Sequence, residues 1–239
     1  MTTLDYIVDA AEPITLIGGG EASLDDLNEA RALAPTCVAA DGGAALAVDA
    51  GVPLAALIGD LDSTPDEVLH QIPRDRRHLI TEQDSTDFEK ALSRVHAPLV
   101  LGVGFTGARL DHQLAAFNTL AAFAHRPCIL LGPLEIILLA PPHITLPTAP
   151  GDIVSLMPLA PVRGTSRGLR WPIDGLPFAP GGQIGTSNQA LGPVELTIEG
   201  PDMLLILPRR LMAPLAAQLL QPDRAQWPVR AERRKDQRL

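Results

Sequence analysis

Aromatic side chains are scarce in this sequence, in which five Phe, two Trp and one Tyr make up 3% of 239 residues. The core must therefore be filled mainly by Leu, Ala, Val and Ile. Apolar residues account for 46% of the chain and charged residues for 20%. These values are typical of a folded globular protein and exclude a fibrous or disordered chain. The length suits one large domain or two small ones.

Cysteines and long apolar runs are also few. Cys37 and Cys128 each lie in an apolar stretch, and their spacing fits neither a disulfide framework nor a zinc site. We expect both to be small buried side chains. No apolar run reaches the roughly 18 residues that cross a bilayer, and the first residues lack the pattern of a secretory signal. We therefore expect a cytoplasmic protein that does not bind membranes.

Basic residues are fewer than acidic residues, and the formal net charge is −9. This excess of acid disfavours nucleic acid and anionic lipid as partners. Basic residues cluster only in the last segment, 223–239, which we interpret as a solvated, frayed tail. The acidic total favours a cationic substrate, or one whose phosphates are masked by metal.

The first half of the sequence alternates short apolar runs with segments of helical spacing. This alternation predicts a mostly parallel α/β sheet, and runs that are apolar at every position fit strands covered on both faces. The predicted strands are 14–17, 37–40, 55–58 and 99–103. The predicted helices are 24–34, with Ser23 as its N-cap, 44–50 and 110–124.

After about Pro127 the helical spacing disappears, and Pro and Gly separate short apolar runs at 136–140, 153–157, 194–198 and 203–207. This pattern of short apolar runs separated by Pro and Gly predicts an antiparallel sandwich or barrel, followed by a closing helix at 212–220. We therefore predict an N-terminal, mostly parallel α/β domain and a C-terminal antiparallel β-sandwich domain. Their predicted bounds are 1–135 and 136–222, with the basic tail at 223–239.

Carboxylates follow the predicted strands of the first half. Asp41 follows the second strand, Asp60 and Asp62 follow the third, and Asp111 comes soon after the fourth. Ligands of open parallel sheets bind beyond the carboxyl ends of the strands, so we expect these acids to converge on one crevice. Taken alone, Asp41 is better explained as part of a turn. Asp60 and Asp62 are as compatible with metal ligation as with an exposed turn.

A helix start is predicted at 84–90. Thr86 and Glu89 have the spacing of a capping box, and Asp87 would favour the helix dipole from the first turn. This structural explanation does not account for Lys90. One turn into the helix and on the face of Asp87, Lys90 could reach a phosphate bound at the helix N-terminus.

Two glycine loops are less specific. In the loop 102–107 glycine permits close approach to an anion, and Arg109 just beyond it can bind phosphate through two parallel bonds. Many βα turns have this composition, and His112 after it is more often structural than catalytic. Residues 18–20, three consecutive glycines, lack both the P-loop ending and the dinucleotide spacing. They are compatible with a nucleotide site or with a simple turn, and we favour the turn.

Together these segments resemble the thiamine pyrophosphokinase family. Each motif is modest alone, but seven occur in the family's order between about Ile14 and Pro208. They are DGGA at 41–44, IGDLDS at 58–63, DSTDFEK at 84–90, GARLDH at 107–112, SLMPL at 155–159, GLRWP at 168–172 and GTSN at 185–188.

The resemblance implies that the α/β domain holds ATP and Mg²⁺, that the sandwich helps to bind thiamine, and that the protein is a homodimer with the active site between subunits. It assigns the metal to Asp60, Asp62 and Asp87, with Asp41 close by. It places a second group of residues at the triphosphate and the reacting hydroxyl: Lys90, Arg109 and Asp111.

The resemblance also assigns a thiamine site in the second half. Trp171 would stack on a thiamine ring, and Ser187 and Asn188 would bond the aminopyrimidine region. The sequence departs from the family pattern at Leu61, where Phe is usual, and at Trp171, which is often Tyr. The tail lies outside the pattern. None of these departures removes a chemical group.

The activity implied is transfer of diphosphate from ATP to the hydroxyl of thiamine, with AMP as the leaving group. Asp62, Asp87, Arg109 and Asp111 are its expected catalytic residues. One alternative is a diphosphokinase for another hydroxymethyl heterocycle such as a pterin. The acidic loops would be common to both enzymes, so only the second half of the chain distinguishes this alternative from a thiamine enzyme. The other is a non-catalytic thiamine or nucleotide sensor, which would not need the full set of carboxylates.

Overall fold

Strands and helices alternate through the first half of the protein, as predicted. The computed structural model describes residues 6–230. The strands are β1 Val8–Asp9, β2 Ile14–Ile17, β3 Thr36–Ala40, β4 Leu54–Gly59, β5 Arg77–Leu79, β6 Val95–His96, β7 Val100–Val103 and β8 Cys128–Leu131. The helices are α1 Leu24–Leu33, α2 Ala44–Asp49, α3 Asp66–Leu69, α4 Asp87–Arg94 and α5 Leu110–Ala122.

A parallel sheet runs in the order β5-β4-β3-β2-β7-β8. Every residue of β2, β7 and β8 is buried, which is why these strands are apolar at nearly every position. Helix α1 begins as predicted at Ser23, whose hydroxyl accepts a bond from the Asp26 N–H at 3.1 Å. The Asp26 carboxylate in turn accepts from the Ser23 N–H at 2.7 Å, which completes a capping box.

The second half is built from antiparallel strands and one helix. They are β9 Glu135–Leu139, β10 His143–Leu146, β11 Ile153–Pro158, β12 Gly164–Leu169, β13 Gly185–Ile198, β14 Met203–Pro208 and α6 Met212–Leu219. Strand β13 bends between two layers, because Asn188 and Gln189 pair with β11 whereas 194–197 pair with β10 and β12. Buried residues alternate along β10 and β11 and face one shared core. The predicted fold class, α/β followed by a β-sandwich, is confirmed.

The two halves share one continuous sheet. Strand β8 pairs in parallel with β7 and antiparallel with β9, and the order continues through β14 and β11 to β13. The predicted division between residues 135 and 136 therefore falls within β9 and stays a prediction. Arg209, just after β14, ties the second half to α1 through bonds to Asp26 and Glu29 of 2.6 Å each.

The start of the basic tail is packed against the protein, so the expectation of a frayed segment is wrong for its described part. The Trp227 indole N–H donates to the Ala140 carbonyl at 2.8 Å, and Arg230 pairs with Asp202 at 2.6 Å. The remainder of that segment, 231–239, lies outside the described residues. Among the helices within 6–230, none is long and apolar enough to cross a lipid bilayer.

Gly43 ends a single turn of 3₁₀ helix after β3, where the chain passes very close to β2. A Cβ added at Gly43 would lie 2.1 Å from the Ile17 carbonyl oxygen, so Gly43→Ala should force the two strand ends apart. We expect this variant to lose about 2 kcal/mol or more of unfolding free energy, measured by urea denaturation.

Gly192→Ala is the matched control, because a Cβ at Gly192 would meet no described atom within 4 Å. It should change stability by less than about 0.5 kcal/mol. Equal midpoints for the two variants would contradict this account of the β2–β3 contact.

Candidate active site

The carboxyl ends of β2, β3, β4 and β7 meet at one edge of the sheet, beside the start of α4 and the loop before α5. These strand ends, the start of α4 and the loop before α5 surround an open cleft of ≈ 320 Å³. Its lining includes residues 18–20, Gly42, Ser63, Thr86, Asp87, Gly104, Gly107, Arg109 and His112. The three glycines at 18–20, interpreted from sequence as a turn, therefore also form part of the cleft wall.

Three of the predicted carboxylates come together. Oxygen atoms of Asp41, Asp60 and Asp87 lie within 4.8 Å of one another, and we call these residues the acid cluster. Asp62 is exposed and lies outside this group, where its carboxylate accepts a bond from the Ser63 hydroxyl at 3.0 Å. The predicted convergence is thus observed for acids from three separate loops, with Asp41 in the place expected for Asp62.

Asp41 is the most deeply buried member of the acid cluster, with 1% of its surface exposed. The Thr64 hydroxyl donates to Oδ1 at 2.7 Å, and the Ser63 N–H donates to Oδ2 at 3.2 Å. Burial raises the pKa of Asp41; the two bonds oppose this rise, and the nearby charges of Asp87 and Asp60 add to it. The ionised form of Asp41 is therefore disfavoured.

Lys90 supplies the positive charge of the cluster from the first turns of α4. Its ammonium donates to Asp60 Oδ2 at 2.7 Å and to Asp87 Oδ1 at 3.3 Å, although only 3% of the side chain is exposed. Burial lowers the pKa of Lys90, but the bonds and charges of the two acids outweigh burial and leave the pKa raised. The same Lys90 bond is the main reason that the pKa of Asp60 is lowered.

The residues of the acid cluster fit a hard divalent cation. Asp60 Oδ1 is buried and has no hydrogen-bond donor among the described residues, so this oxygen is available to a cation. Mg²⁺ is bound in proteins by one or two carboxylates together with water and phosphate oxygens. The cluster provides carboxylates of this kind at the rim of an open cleft, where water and phosphate have access.

Backbone strain is concentrated in the loops that the sequence singled out. Among residues 6–230, four non-glycine residues have positive φ: Asp41 (40°), Leu61 (65°), Ala108 (51°) and Ser187 (59°). Each lies within one of the motifs at 41–44, 58–63, 107–112 and 185–188. Residues other than glycine rarely adopt a positive φ, because the side chain then crowds the backbone. The surrounding structure must hold such residues in place, and they occur most often at functional sites.

Arg109 and Asp111 pair with each other at the mouth of the cleft. Two parallel bonds of 3.1 and 2.6 Å join them, and about two thirds of each side chain is exposed. The bond from Arg109 lowers the pKa of Asp111 to about 2. A carboxylate that holds protons so weakly is a poor general base at neutral pH. This arrangement suits Asp111 better for orienting a hydroxyl or Arg109 than for removing a proton.

The predicted thiamine contacts form a separate group on the sandwich. Asn188 is buried, and its amide donates to the Trp171 carbonyl at 2.6 Å and accepts from the Trp171 N–H at 3.2 Å. This exchange fixes the backbone that presents the Trp171 ring, which is 53% exposed. The Arg170 guanidinium lies 5.0 Å from the ring centroid and covers one face.

The acid cluster and Trp171 are far apart within one chain. Seven inter-strand steps separate β3, which leads to Asp41, from β13, which carries Asn188. At the usual spacing of about 4.8 Å between strands, the path along the sheet is on the order of 30 Å.

Sequence reasoning missed residues that support the cluster. Thr64 holds Asp41, and the Gln83 amide donates to Asp60 Oδ2 at 3.3 Å. Thr64 directly follows the motif at 58–63, so its position was the one available signal. Gln83 carries no such signal, because a loop residue that reaches back 23 positions is specified only by the fold.

Two sequence models of one family match this chain. The model described as "Thiamin pyrophosphokinase, catalytic domain" matches residues 27–131, and the one described as "Thiamin pyrophosphokinase, vitamin B1 binding domain" matches residues 143–201. Together they span more than half of the sequence. The chain belongs to the thiamine pyrophosphokinase family. The acid cluster lies within the catalytic-domain match, and Trp171, Ser187 and Asn188 lie within the vitamin B1 binding-domain match.

Curated and solved relatives bear the family name as well. Thiamine pyrophosphokinase 1 of Oryza sativa subsp. japonica is 30% identical over 150 residues, which cover 54% of this chain and 56% of the rice protein. The chain thus spans about half the length of the curated relatives it matches. The solved thiamin pyrophosphokinase of Geobacillus thermodenitrificans is 25% identical with a TM-score of 0.70, and the match covers 82% of this chain and 97% of that one.

The yeast thiamin pyrophosphokinase structure shares the fold. Its TM-score is 0.68 at 16% identity, and the match covers 87% of this chain and 93% of the yeast chain.

The raised pKa of Asp41 has a measurable effect on stability. Since this pKa lies above the unfolded value of 3.8, the native state binds more protons than the unfolded state between the two values. The contribution of Asp41 to the unfolding free energy therefore falls as the pH rises through that window. Relative to Asp41→Asn, the wild-type protein should lose stability as the pH rises from 3.8 through the raised native pKa of Asp41.

Urea denaturation of both proteins in metal-free buffer measures this difference. Thr64→Val removes a donor that favours the ionised carboxylate, so it should enlarge the loss. A difference between wild type and Asp41→Asn that stays constant over the pH range would show that Asp41 is not perturbed.

Proposed function

We propose that this protein is a cytoplasmic, Mg²⁺-dependent thiamine pyrophosphokinase, which transfers diphosphate from ATP to the hydroxyl of thiamine and releases AMP. The observation that carries the proposal is the acid cluster beside a glycine-lined cleft, in a chain of this family. Family membership supports the choice of substrates, and the cluster supports the chemistry.

Asp41, Asp60 and Asp87 would hold the metal. When bound, Mg²⁺ would neutralise charge on the phosphate oxygens. Asp62 stands two residues from Asp60 on an exposed loop, from which its carboxylate could reach the metal directly or through water. Thr64 and Ser63 keep Asp41 aimed at the cluster, so the ligands are positioned before the metal arrives.

The walls of the cleft suit a polyphosphate. Glycines at 18–20, Gly104 and Gly107 leave the backbone uncovered, which allows close approach of an anion to N–H groups. Arg109 lines the same cleft and can offer two parallel bonds to a phosphate group. Its present partner Asp111 is solvent-exposed, and exposed pairs of this kind are weak, so the guanidinium can exchange that partner for substrate.

Trp171 is the proposed platform for thiamine. Its exposed ring can stack on a heterocycle, and the cationic thiazolium would gain a cation–π contribution of about 0.5–2 kcal/mol. Arg170 covers one face of the ring, so thiamine would use the other face or displace Arg170. Asn188 then acts through the Trp171 backbone, and Ser187, which is exposed near the start of β13, offers a hydroxyl for direct bonding.

We propose a homodimer in which the acid cluster of one subunit faces Trp171 of the other. A separation on the order of 30 Å along the sheet prevents one chain from presenting both groups to one thiamine molecule. A two-fold arrangement of identical subunits would bring the groups together twice.

The reaction would proceed by direct transfer. The thiamine hydroxyl oxygen forms a bond to the β-phosphorus of ATP, the bond from that phosphorus to the α,β-bridging oxygen breaks, and AMP departs. The hydroxyl proton passes to solvent or to a nearby base. Positioning and charge neutralisation provide most of the rate in such transfers, and these are the roles that Arg109, Lys90 and the acid cluster can fill.

The primary test is incubation with ATP, Mg²⁺ and thiamine, with mass detection of thiamine diphosphate and AMP. Asp60→Asn and Asp87→Asn should each lower turnover about 100-fold or more, because each removes a charge from the metal site. Asp49→Asn, which changes an exposed acid of α2 outside the cleft lining, should retain full turnover. Absence of both products with the wild-type protein would disprove the proposed activity.

The comparison with Asp62→Asn discriminates between two ligand sets. A loss as large as that of Asp60→Asn would place Asp62 on the metal in the loaded enzyme. A much smaller loss would leave Asp41, Asp60 and Asp87 as the ligands.

The shared active site is tested by subunit mixing. Asp60→Asn disables the cluster and Trp171→Ala disables the platform, so each homodimer should have low activity at low thiamine concentration. When the two variants are co-expressed, heterodimers contain one intact site, and random pairing should restore about one quarter of wild-type activity. Failure to recover activity in a confirmed mixed dimer would place both groups in a site within one chain.

A further inference from the structure

Lys90 occupies the space between two of the carboxylates that would hold a metal. Its ammonium is within bonding distance of Asp60 Oδ2 and Asp87 Oδ1, and 3% of its side chain is exposed. Among the described residues, Lys90 is the cation that pairs with the acid cluster. It therefore neutralises part of a charge that three converging carboxylates could not otherwise tolerate.

The choice of lysine at this position is unusual for the chain. The sequence contains 17 arginines and only two lysines, Lys90 and Lys235. The arginine guanidinium is a planar group whose charge is spread over three nitrogen atoms, so it is not a compact charge. The lysine ammonium is a small point charge on a flexible stem. Only the second kind of group can fill a position the size of a metal ion and then leave it.

A metal and the Lys90 ammonium would compete for the same oxygen atoms. Asp87 Oδ1 and Asp60 Oδ2 accept from Lys90, and Asp60 Oδ1 has no partner within the described part of the chain. A divalent cation at the cluster would stand next to the ammonium, and like charges in a buried site repel strongly. Repulsion between the two cations would therefore weaken the hold of the carboxylates on the ammonium.

We infer that Lys90 is a placeholder cation, which stabilises the acid cluster in the metal-free protein and is expelled when Mg²⁺ binds. The inference rests on the proposed function, because it takes the acid cluster as the metal site. Once released, the ammonium can swing toward the cleft, where a triphosphate offers it a new anionic partner. Metal and nucleotide would then favour each other's binding, since the nucleotide receives the group that the metal displaces.

The first test measures Mg²⁺ affinity by titration calorimetry without nucleotide. Lys90→Met removes the competitor and should bind Mg²⁺ about tenfold more tightly than wild type, whereas Lys90→Arg, which keeps the charge, should not. A non-hydrolysable ATP analogue should strengthen Mg²⁺ binding to wild type more than to Lys90→Met. Unchanged or weaker Mg²⁺ binding by Lys90→Met would overturn the inference, because a simple phosphate ligand or structural ion pair predicts that result.

The second test needs no substitution and so does not depend on the folding of a variant. Protein labelled with ¹⁵N and ¹³C in lysine alone has two lysine side chains to observe. The Lys90 ammonium signal should be protected from exchange in metal-free buffer, and it should move and lose that protection as Mg²⁺ saturates the site. A Lys90 signal that stays fixed while calorimetry shows Mg²⁺ binding would overturn the inference.

Turnover of the wild-type protein, measured in the same buffer, separates the two hypotheses. Formation of thiamine diphosphate together with a fixed Lys90 signal would reject the placeholder role and leave the proposed function standing. Mg²⁺-dependent displacement of Lys90 without product would do the reverse.

Discussion

The pairing of β8 with β9 is the constraint on which the rest of the structure depends. At this point the sheet changes from parallel to antiparallel, and hydrogen bonding continues from β7 into β14 without a break. The α/β half and the sandwich are therefore held in a fixed relation. One consequence is that the acid cluster and Trp171 occupy distant regions of the same sheet. This geometry supports the proposed second subunit, which would bring the two groups together.

The chemistry of the cluster depends on how its charges are balanced. Burial of Asp41 disfavours its ionised form, and hydrogen bonds from Thr64 and Ser63 offset part of that cost. Lys90 holds Asp60 ionised by direct contact. The cluster therefore combines a carboxylate that is reluctant to ionise with one that is locked in the charged state. A divalent cation, as proposed, would stabilise the ionised form of both.

Elements with a strong local pattern were predictable from sequence. The strand at 14–17, the N-cap at Ser23 and the alternation of strands and helices follow from periodicity and capping chemistry, and the structure confirms them. Elements defined by distant pairing were not. Strands β1 and β6 have two residues each and exist because they pair with each other. Strand β12 is rich in Gly and polar residues, and its pairing with β13 is what makes it a strand.

The candidate site divides in the same way. Strand-end position predicted convergence of Asp41, Asp60, Asp62 and Asp111, of which Asp41 and Asp60 lie in the acid cluster. The family resemblance added Asp87, Trp171, Ser187 and Asn188. Neither signal indicated that Asp62 would lie outside the cluster, where its carboxylate accepts from the Ser63 hydroxyl. The sequence also did not predict that the Asn188 amide holds the Trp171 backbone. The two residues are distant in sequence and meet only after β12 and β13 pair.

The scarcity of aromatic residues has a practical consequence for spectroscopy. The chain has two tryptophans, and the fold places them in opposite environments. Trp171 is half exposed on the sandwich, whereas Trp227 is partly buried and bonded to the Ala140 carbonyl. Trp171 should therefore emit at longer wavelength and be quenched by a stacked ring, while Trp227 should respond when the segment after α6 detaches. Each single-tryptophan variant would carry an intrinsic fluorescent reporter for one event.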